Sequence, residues 1–151
     1  MDSGIEGVIL SREKIIPTAL GDIYHTVKAD SHGFSGFGEA YFSSVPYLCT
    51  KDWKSHTRMT LNIVVPVGQI RFALYDSRAE GPTAGKTFSV DLSPENYFRL
   101  TVPPGVWMAF QGLGKDLNLL LNVANMSHDP DEAIREPVPN DIISYQPWVS
   151  N

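Results

Sequence analysis

The chain has 151 residues, of which 42% are hydrophobic and 19% are charged, so it can bury a core and is not a disordered protein. Its net charge of −5 argues against general nucleic-acid binding, which requires a basic surface. The single cysteine, Cys49, excludes an intrachain disulfide and favours a reducing compartment.

The sequence contains no segment typical of export or membrane insertion. Its N-terminus, MDSGIEGVIL, has no basic region followed by a long apolar run, so no signal peptide is expected. No apolar run approaches the ~18 residues that cross a bilayer. We therefore expect one cytoplasmic domain, residues 1–151, with neither a membrane nor a nucleic acid as its partner.

Short apolar or alternating segments, separated by Gly and Pro turns, fill the first half of the chain. They predict strands over residues 5–10, 14–17, 23–28 and 39–45. Residues 51–68 then combine a polar and aromatic start, KDWKSHTR, with the apolar run MTLNIVV. This pattern predicts one strand whose first half lines a pocket and whose second half crosses a core.

The second half of the chain continues in the same way. Strands are predicted over residues 69–78, 87–93, 98–102, 106–110 and 116–125. Residues 93–97 predict one capped helical turn, residues 126–136 one short helix, and residues 137–151 an extended tail. Many short strands with almost no helix predict an all-β barrel or sandwich.

A local basic cluster, Lys51, Lys54 and Arg58, stands out in this acidic chain. It fits either a site for an anionic small ligand or the solvated edge of a strand. Because side chains alternate along a strand, one face is expected to carry Lys54, His56, Arg58, Thr60 and Asn62. An Asn inside an apolar strand needs a partner, which is either a ligand or a buried structural group.

Five segments, in this order, resemble the dTDP-4-dehydrorhamnose 3,5-epimerase family of cupin-fold, sugar-nucleotide enzymes. They are GDIYH (residues 21–25), FGEAYFS (37–43), KDWKSHTRMTLN (51–62), VPPGVWMAF (102–110), and HDPDE (128–132) followed by DIISY (141–145). The resemblance spans nearly the whole chain. It implies an all-β cupin, a jelly-roll β-barrel (double-stranded β-helix) with little helix and an internal pocket. It also implies a homodimer, in which strands from residues 1–20 can be exchanged.

The two metal-binding motifs of cupins are incomplete in this sequence. The first reads KSH at residues 54–56, without its downstream carboxylate, and the second reads PPGVWM at residues 103–108. A site with one imidazole does not hold Zn²⁺ or Fe²⁺ well, because these ions normally take three or four ligands. We therefore expect no catalytic metal and no cofactor, as the resemblance to the epimerases also implies.

The family reaction moves a proton next to the 4-keto group of a nucleotide-linked sugar. It requires a base near the C–H bond, a donor for the enolate oxygen and an acid on the opposite face. The family's base is a His in an Arg/Lys-Gly-x-His stretch, which resembles residues 51–54 and places Lys54 at that position. Lys54 is a base only if its surroundings depress its pKa; otherwise it stabilises an enolate or binds phosphate. His56, on the same face, is a second candidate base with an ordinary pKa of about 6.5.

The family's acid is a Tyr on the strand before HDPDE, and no Tyr occurs on that strand here. The nearest replacements are Asn125, Ser127 and His128, and His128 fits a cap of the following turn equally well. The Asp that orients the family's base aligns with Asn140 or Asp141. Both the acid and the orienting residue are therefore expected to differ from the family's pattern.

The candidate substrate-binding residues are Lys51, Tyr41, Trp53, Arg58, Asn62, Arg71, Trp107 and Asn125. Lys51 resembles the family's cation for the diphosphate, and the two arginines are expected to add positive charge. The aromatic residues offer faces for a nucleotide base or a sugar, although each alone is more often a core residue.

The sequence thus predicts a metal-independent epimerase or isomerase of a nucleotide-linked 4-keto-deoxysugar, with Lys54, His56 and His128 as catalytic residues. One alternative is a non-catalytic cupin that binds a sugar nucleotide or another small molecule. A second alternative is a lyase or isomerase that uses Lys54 on another small keto or enol substrate, through a Schiff base or a stabilised enolate.

Overall fold

The computed structural model describes residues 1–151 and consists of twelve β-strands without a helix. No helix in it is therefore long and apolar enough to cross a membrane. In chain order the strands are β1 (Ile9–Arg12), β2 (Ile15–Ile16), β3 (Ile23–Tyr24), β4 (Glu39–Ser44), β5 (Thr50–His56), β6 (Leu61–Val67), β7 (Ile70–Asp76), β8 (Thr87–Leu92), β9 (Phe98–Val102), β10 (Val106–Gly112), β11 (Leu119–Ala124) and β12 (Ala133–Glu136).

Ten of these strands form two five-stranded antiparallel sheets. The first sheet has the order β1-β9-β6-β11-β4, and the second has the order β12-β5-β10-β7-β8. The remaining strands, β2 and β3, pair as a separate hairpin. From β4 to β12 the chain passes from one sheet to the other at every connection except β7–β8. The predicted all-β, cupin-like jelly roll is confirmed.

The main hydrophobic core lies between the two sheets and follows the alternation of the strands. In β7, the buried side chains of Ile70, Phe72 and Leu74 belong to this core. Ala73 and Tyr75, on the opposite face, belong to a second cluster on the outside of the second sheet. Because successive side chains point to opposite faces of a sheet, one strand contributes to both clusters.

Residues 51–68 do not form the single strand that the sequence predicts. β5 ends at His56, residues 57–60 turn, and β6 begins at Leu61 in the other sheet. The change of sheet breaks the alternation, so the expected common face of residues 54–62 does not exist.

Of the two predicted helical segments, the turn capped by Ser93 is present, although it is not part of a helix, and the short helix within residues 126–136 is wrong. Residues 93–97 form a hydrogen-bonded turn, in which Ser93 Oγ accepts the backbone N–H of Asn96 at 3.2 Å. Residues 133–136 form β12, which pairs with β5. Pairing with a distant strand therefore decides the structure of this polar segment, against its local sequence pattern.

The N-terminal strand β1 pairs with β9 of the same chain. The exchange of N-terminal strands and the homodimer stay predictions.

The extended tail, residues 137–151, covers the outer face of the second sheet. Ile143 is 1% exposed and packs in a cluster with Trp53, Trp107 and Trp148. The tail is also hydrogen-bonded, since Gln111 Nε2 donates to the carbonyl of Val149 at 2.9 Å. The tail is therefore an integral part of the fold.

Neighbouring isoleucines in the tail test this packing. Ile143→Ala is expected to lower the free energy of unfolding by about 2–5 kcal/mol, because it leaves a cavity among buried aromatic rings. Ile142→Ala is the matched control, since Ile142 is 65% exposed, and its effect should stay within about 0.5 kcal/mol. Urea denaturation of both variants measures the difference; equal losses would contradict the described packing.

Candidate active site

A cavity of about 430 Å³ lies between the two sheets, where β4, β6 and β11 face β5, β10 and β12. Its apolar wall consists of Leu61, Ile63, Met108, Phe110 and Leu120. Its polar wall consists of Tyr41, Ser43, Thr50, Lys51, Asp52, Lys54, His56, Asn122 and Arg135. The ionisable side chains of this polar wall other than Tyr41 all come from β5 and β12, so the second sheet supplies the charged side of the cavity.

His56, the last residue of β5, forms a buried pair with Glu132. Nδ1 of His56 is hydrogen-bonded to Oε1 of Glu132, and the two residues are 7% and 3% exposed. The other carboxylate oxygen accepts the backbone N–H groups of Thr57, Arg58 and Met59 at 3.2, 3.2 and 3.3 Å. Burial alone raises the pKa of Glu132, but these hydrogen bonds outweigh it and the pKa lies below its usual value. Glu132 is therefore a stable anion beside the imidazole.

The same pair decides the state of His56. Burial lowers the pKa of His56 below 6.5, Glu132 opposes this, and the nearby charges of Lys54 and Arg135 lower it further. The imidazole is consequently neutral at pH 7, with Nδ1–H donating to Glu132. Nε2 then carries the free lone pair, and no protein group is hydrogen-bonded to it. This arrangement is that of an oriented general base.

Lys54 and Arg135 face each other across neighbouring strands, as paired residues of β5 and β12. Both side chains line the cavity, and neither makes an ion pair with the protein. Burial and the charge of Arg135 lower the pKa of Lys54, against the opposing effect of Glu132 and Glu39. Two unpaired cations at one wall form a site for negative charge on a ligand.

Lys51 lies at the edge of the cavity and joins the two sheets. Its Nζ donates to Ser43 Oγ of β4 at 2.7 Å and lies 5.6 Å from the ring centre of Phe110. Tyr41 lies on the same wall as Ser43, two residues earlier in β4. Among the residues predicted from the sequence, the structure thus brings together Lys51, Lys54, His56 and Tyr41.

Three predicted binding residues lie on the outer face of the second sheet instead. Trp53 is fully buried in the outer cluster, because it neighbours the inward Lys54 and so points the other way. Trp107 donates from Nε1 to Ser77 Oγ at 3.0 Å in the same region. Arg71 forms a bidentate pair with Asp91, at 2.6 and 2.8 Å, beneath the tail. The prediction that these three residues line the cavity is therefore wrong, because the alternation of side chains along β5, β7 and β10 points them to the outer face.

Four other predicted residues lie outside the cavity, and for Arg58 and Asn62 the reason is that residues 57–60 change sheet. The side chain of Arg58 is 63% exposed and pairs with Asp129 at 2.8 Å. Asn62 is buried on the outer face of the first sheet, where Thr101 Oγ1 donates to its Oδ1 at 2.8 Å. Asn125 Oδ1 accepts the N–H of Thr60, and His128 is exposed to solvent away from the cavity.

Sequence reasoning missed Glu132 and Arg135, and it expected the orienting carboxylate near residues 140–141. Asn140 Oδ1 instead accepts the backbone N–H of Ile142 in a turn of the tail. Ala133 and Arg135 pair with His56 and Lys54, which puts Glu132 and Arg135 beside the base. No local pattern marks this four-residue strand, because its place beside β5 depends on pairing with a distant part of the chain. No group of three or more His, Cys, Asp or Glu side chains is placed to hold a metal ion.

No family model matches the chain. Its structure superposes on the crystal structure of a dTDP sugar isomerase from Desulfovibrio desulfuricans G20 with a TM-score of 0.93 and 38% identity, over 97% of this chain and 94% of that chain. The chain belongs to the dTDP-4-dehydrorhamnose 3,5-epimerase-like family of dTDP-sugar isomerases. The family resemblance predicted from the sequence is confirmed.

The chain is also similar to two further proteins. The chain is 25% identical to the probable low-salt glycan biosynthesis epimerase of Haloferax volcanii over 103 residues, which are 68% of this chain and 66% of that protein. It superposes on a dTDP-6-deoxy-D-glucose-3,5-epimerase of Legionella pneumophila, crystallised with dTDP-4-keto-L-rhamnose, with a TM-score of 0.80. That match has 19% identity and covers 89% of this chain and 75% of the other, so it shows the shared fold.

The His56–Glu132 pair makes a prediction about imidazole titration. NMR should find a pKa of His56 below 6.5 with the proton of the neutral ring on Nδ1, because burial dominates. In Glu132→Gln the pKa of His56 should fall further, since the carboxylate is what opposes burial. Asp129→Asn is the matched control, because Asp129 pairs with Arg58 and should leave His56 unchanged. A pKa above 6.5, or one insensitive to Glu132→Gln, would contradict the described pair.

Proposed function

We propose that this protein is a metal-independent epimerase or isomerase, which moves a proton next to the keto group of a nucleotide-linked 4-keto-deoxysugar. The observation that carries the proposal is the His56–Glu132 pair, in which His56 lines the cavity between the sheets and its Nε2 has no hydrogen-bond partner in the protein. Membership of the dTDP-sugar isomerase family supports the substrate class. The relatives' names specify dTDP-linked sugars, and we extend that ligand to this chain as part of the proposal.

The first step assigned to the site is proton removal by His56. Nε2 takes the proton from the carbon beside the keto group, and the resulting imidazolium is stabilised by Glu132. Because only the neutral ring accepts a proton, the rate should fall as the pH drops through the pKa of His56, which lies below 6.5. The base role therefore passes from Lys54, the first sequence candidate, to His56.

The electrons left by the proton move to the keto oxygen, which becomes an enolate. We assign the stabilisation of this oxygen to Lys54, which lies on the same strand face as His56 and two residues away. A cation placed at developing negative charge stabilises the transition state. Lys51 and Arg135, the other cations of the cavity, are assigned to the diphosphate.

The Schiff-base alternative has one supporting observation, which is the lowered pKa of Lys54. Borohydride treatment in the presence of a keto sugar distinguishes it, because only a Schiff base gives a covalent adduct at Lys54. A non-catalytic binding protein would bind dTDP without exchanging any carbon-bound proton of the sugar.

The central test is solvent exchange with dTDP-4-keto-6-deoxyglucose in D₂O, followed by mass spectrometry. The wild-type protein should incorporate deuterium, and His56→Asn should reduce the rate by about 10²–10⁴-fold, the usual contribution of a general base. His32→Asn is the matched control, since His32 is exposed and lies outside the cavity. Absence of exchange in the wild type, or full exchange in His56→Asn, would overturn the proposal.

The assignment of the diphosphate to Lys51 and Arg135 is tested separately by calorimetry with dTDP. Lys51→Gln and Arg135→Gln should each raise the Kd by about 10–100-fold, because each removes a charged hydrogen bond of about 1.5–3 kcal/mol. Arg12→Gln, which removes an exposed arginine over the ring of Phe98, should leave the Kd unchanged. If Lys51→Gln and Arg135→Gln bound dTDP as tightly as the wild type and Arg12→Gln do, this assignment would be excluded.

A further inference from the structure

The wall of the cavity opposite His56 belongs to the first sheet and carries few reactive groups. Its lining residues are Tyr41, Ser43, Leu61, Ile63, Leu120 and Asn122. Tyr41 is the one side chain in this set with an ionisable proton. Inversion at a carbon requires a base on one side of that carbon and a proton source on the other, and the two sheets place such groups on opposite sides of the cavity.

The hydroxyl of Tyr41 is oriented by its neighbour on β11. Asn122 lies directly opposite Tyr41 in the sheet and is 1% exposed. Its Oδ1 accepts the backbone N–H of Asn62 at 3.2 Å, which fixes the direction of the amide. Its Nδ2 therefore points at Tyr41 and donates to the phenol oxygen at 3.1 Å.

This hydrogen bond determines where the proton of Tyr41 is available. The phenol oxygen accepts from Asn122 and its own O–H remains available to donate to a further partner. No protein group accepts that proton, and Tyr41 lines the cavity. The same Asn122 N–H group stabilises the negative oxygen that remains after the proton has left.

From this geometry we infer that Tyr41 is the catalytic acid that protonates the enolate on the face opposite His56, which makes the protein an inverting epimerase. The inference rests on the proposed function and specifies its stereochemical outcome. His56 Nε2 removes the proton from one face, and Tyr41 O–H delivers a proton to the same carbon from the other face. A C–H bond is broken and a new one is formed, while the keto group returns from the enolate. The tyrosinate then takes a proton from water and the imidazolium releases one, so the net change is inversion of one carbon.

Tyr41 does not occupy the position that the sequence resemblance gives to the acid. That position lies on the strand before residues 128–132, which is β11, and β11 presents Asn122 to the cavity. The strand that pairs with β11 supplies the hydroxyl from directly across the sheet. Asn122 is a positioning residue in this arrangement, because it acts through Tyr41.

The experiment compares exchange with inversion in Tyr41→Phe, using dTDP-4-keto-6-deoxyglucose in D₂O and NMR analysis of the sugar. His56 should still remove a proton and return a deuteron to the same face, so exchange at the carbon stays within about threefold of wild type. Formation of the inverted sugar should fall by about 10²-fold or more. Tyr47→Phe is the matched control, since Tyr47 is exposed and outside the cavity, and both rates should be unchanged.

A second variant tests the orienting hydrogen bond. Asn122→Asp keeps an oxygen for the N–H of Asn62 but presents an acceptor to Tyr41, which holds the phenol proton away from the substrate. Inversion should again fall while exchange continues.

The outcomes separate the inference from the proposed function. Three results would overturn the role of Tyr41 and leave the proposed function standing. They are exchange without inversion in the wild type, movement of the keto group to another carbon, and inversion by Tyr41→Phe at the wild-type rate. Loss of exchange together with inversion in Tyr41→Phe, at unchanged dTDP affinity, also overturns that role. Absence of exchange in the wild type overturns the proposed function, and the inference with it.

Discussion

One buried carboxylate, that of Glu132, holds the candidate site together. Its Oε1 bonds the imidazole of His56, and its Oε2 accepts three consecutive backbone N–H groups from the turn that follows β5. This turn is where the chain leaves the second sheet for the first. The carboxylate therefore fixes the end of β5, the path of the crossover and the tautomer of the imidazole at once. A buried anion is costly unless its oxygens are well paired, and here each oxygen has a partner.

The jelly roll places this local arrangement in a cavity with two chemically different walls. The second sheet contributes His56, Lys54 and Arg135, whereas the first sheet contributes Tyr41 and Asn122. Lys51 joins the sheets at the edge of the cavity through its hydrogen bond to Ser43. In the proposed reaction, a planar enolate between these walls has His56 as the base on one side and the Tyr41 hydroxyl on the other. The alternation of the strands thus supplies both the apolar core and the separation of functional groups.

Sequence patterns were sufficient for the fold and for part of the site. The regular alternation in β7 predicts correctly which side chains enter the core, and the motif order predicts the family. Lys54 and His56 share a face because they lie two residues apart within one strand. The prediction failed beyond His56, since no local signal showed that residues 57–60 change sheet. Glu132 and Arg135 were missed for a related reason, because their position depends on the pairing of β12 with a strand about 80 residues earlier.

The most direct test of this account is a crystal structure with a dTDP-6-deoxyhexose that lacks the keto group and cannot react. The account predicts that the sugar lies between the two sheets, with the carbon to be deprotonated about 3–3.5 Å from His56 Nε2 and its opposite face towards Tyr41. The diphosphate should contact Lys51 and Arg135. A sugar bound outside this cavity, or one whose reactive carbon lies far from His56, would contradict the central claim.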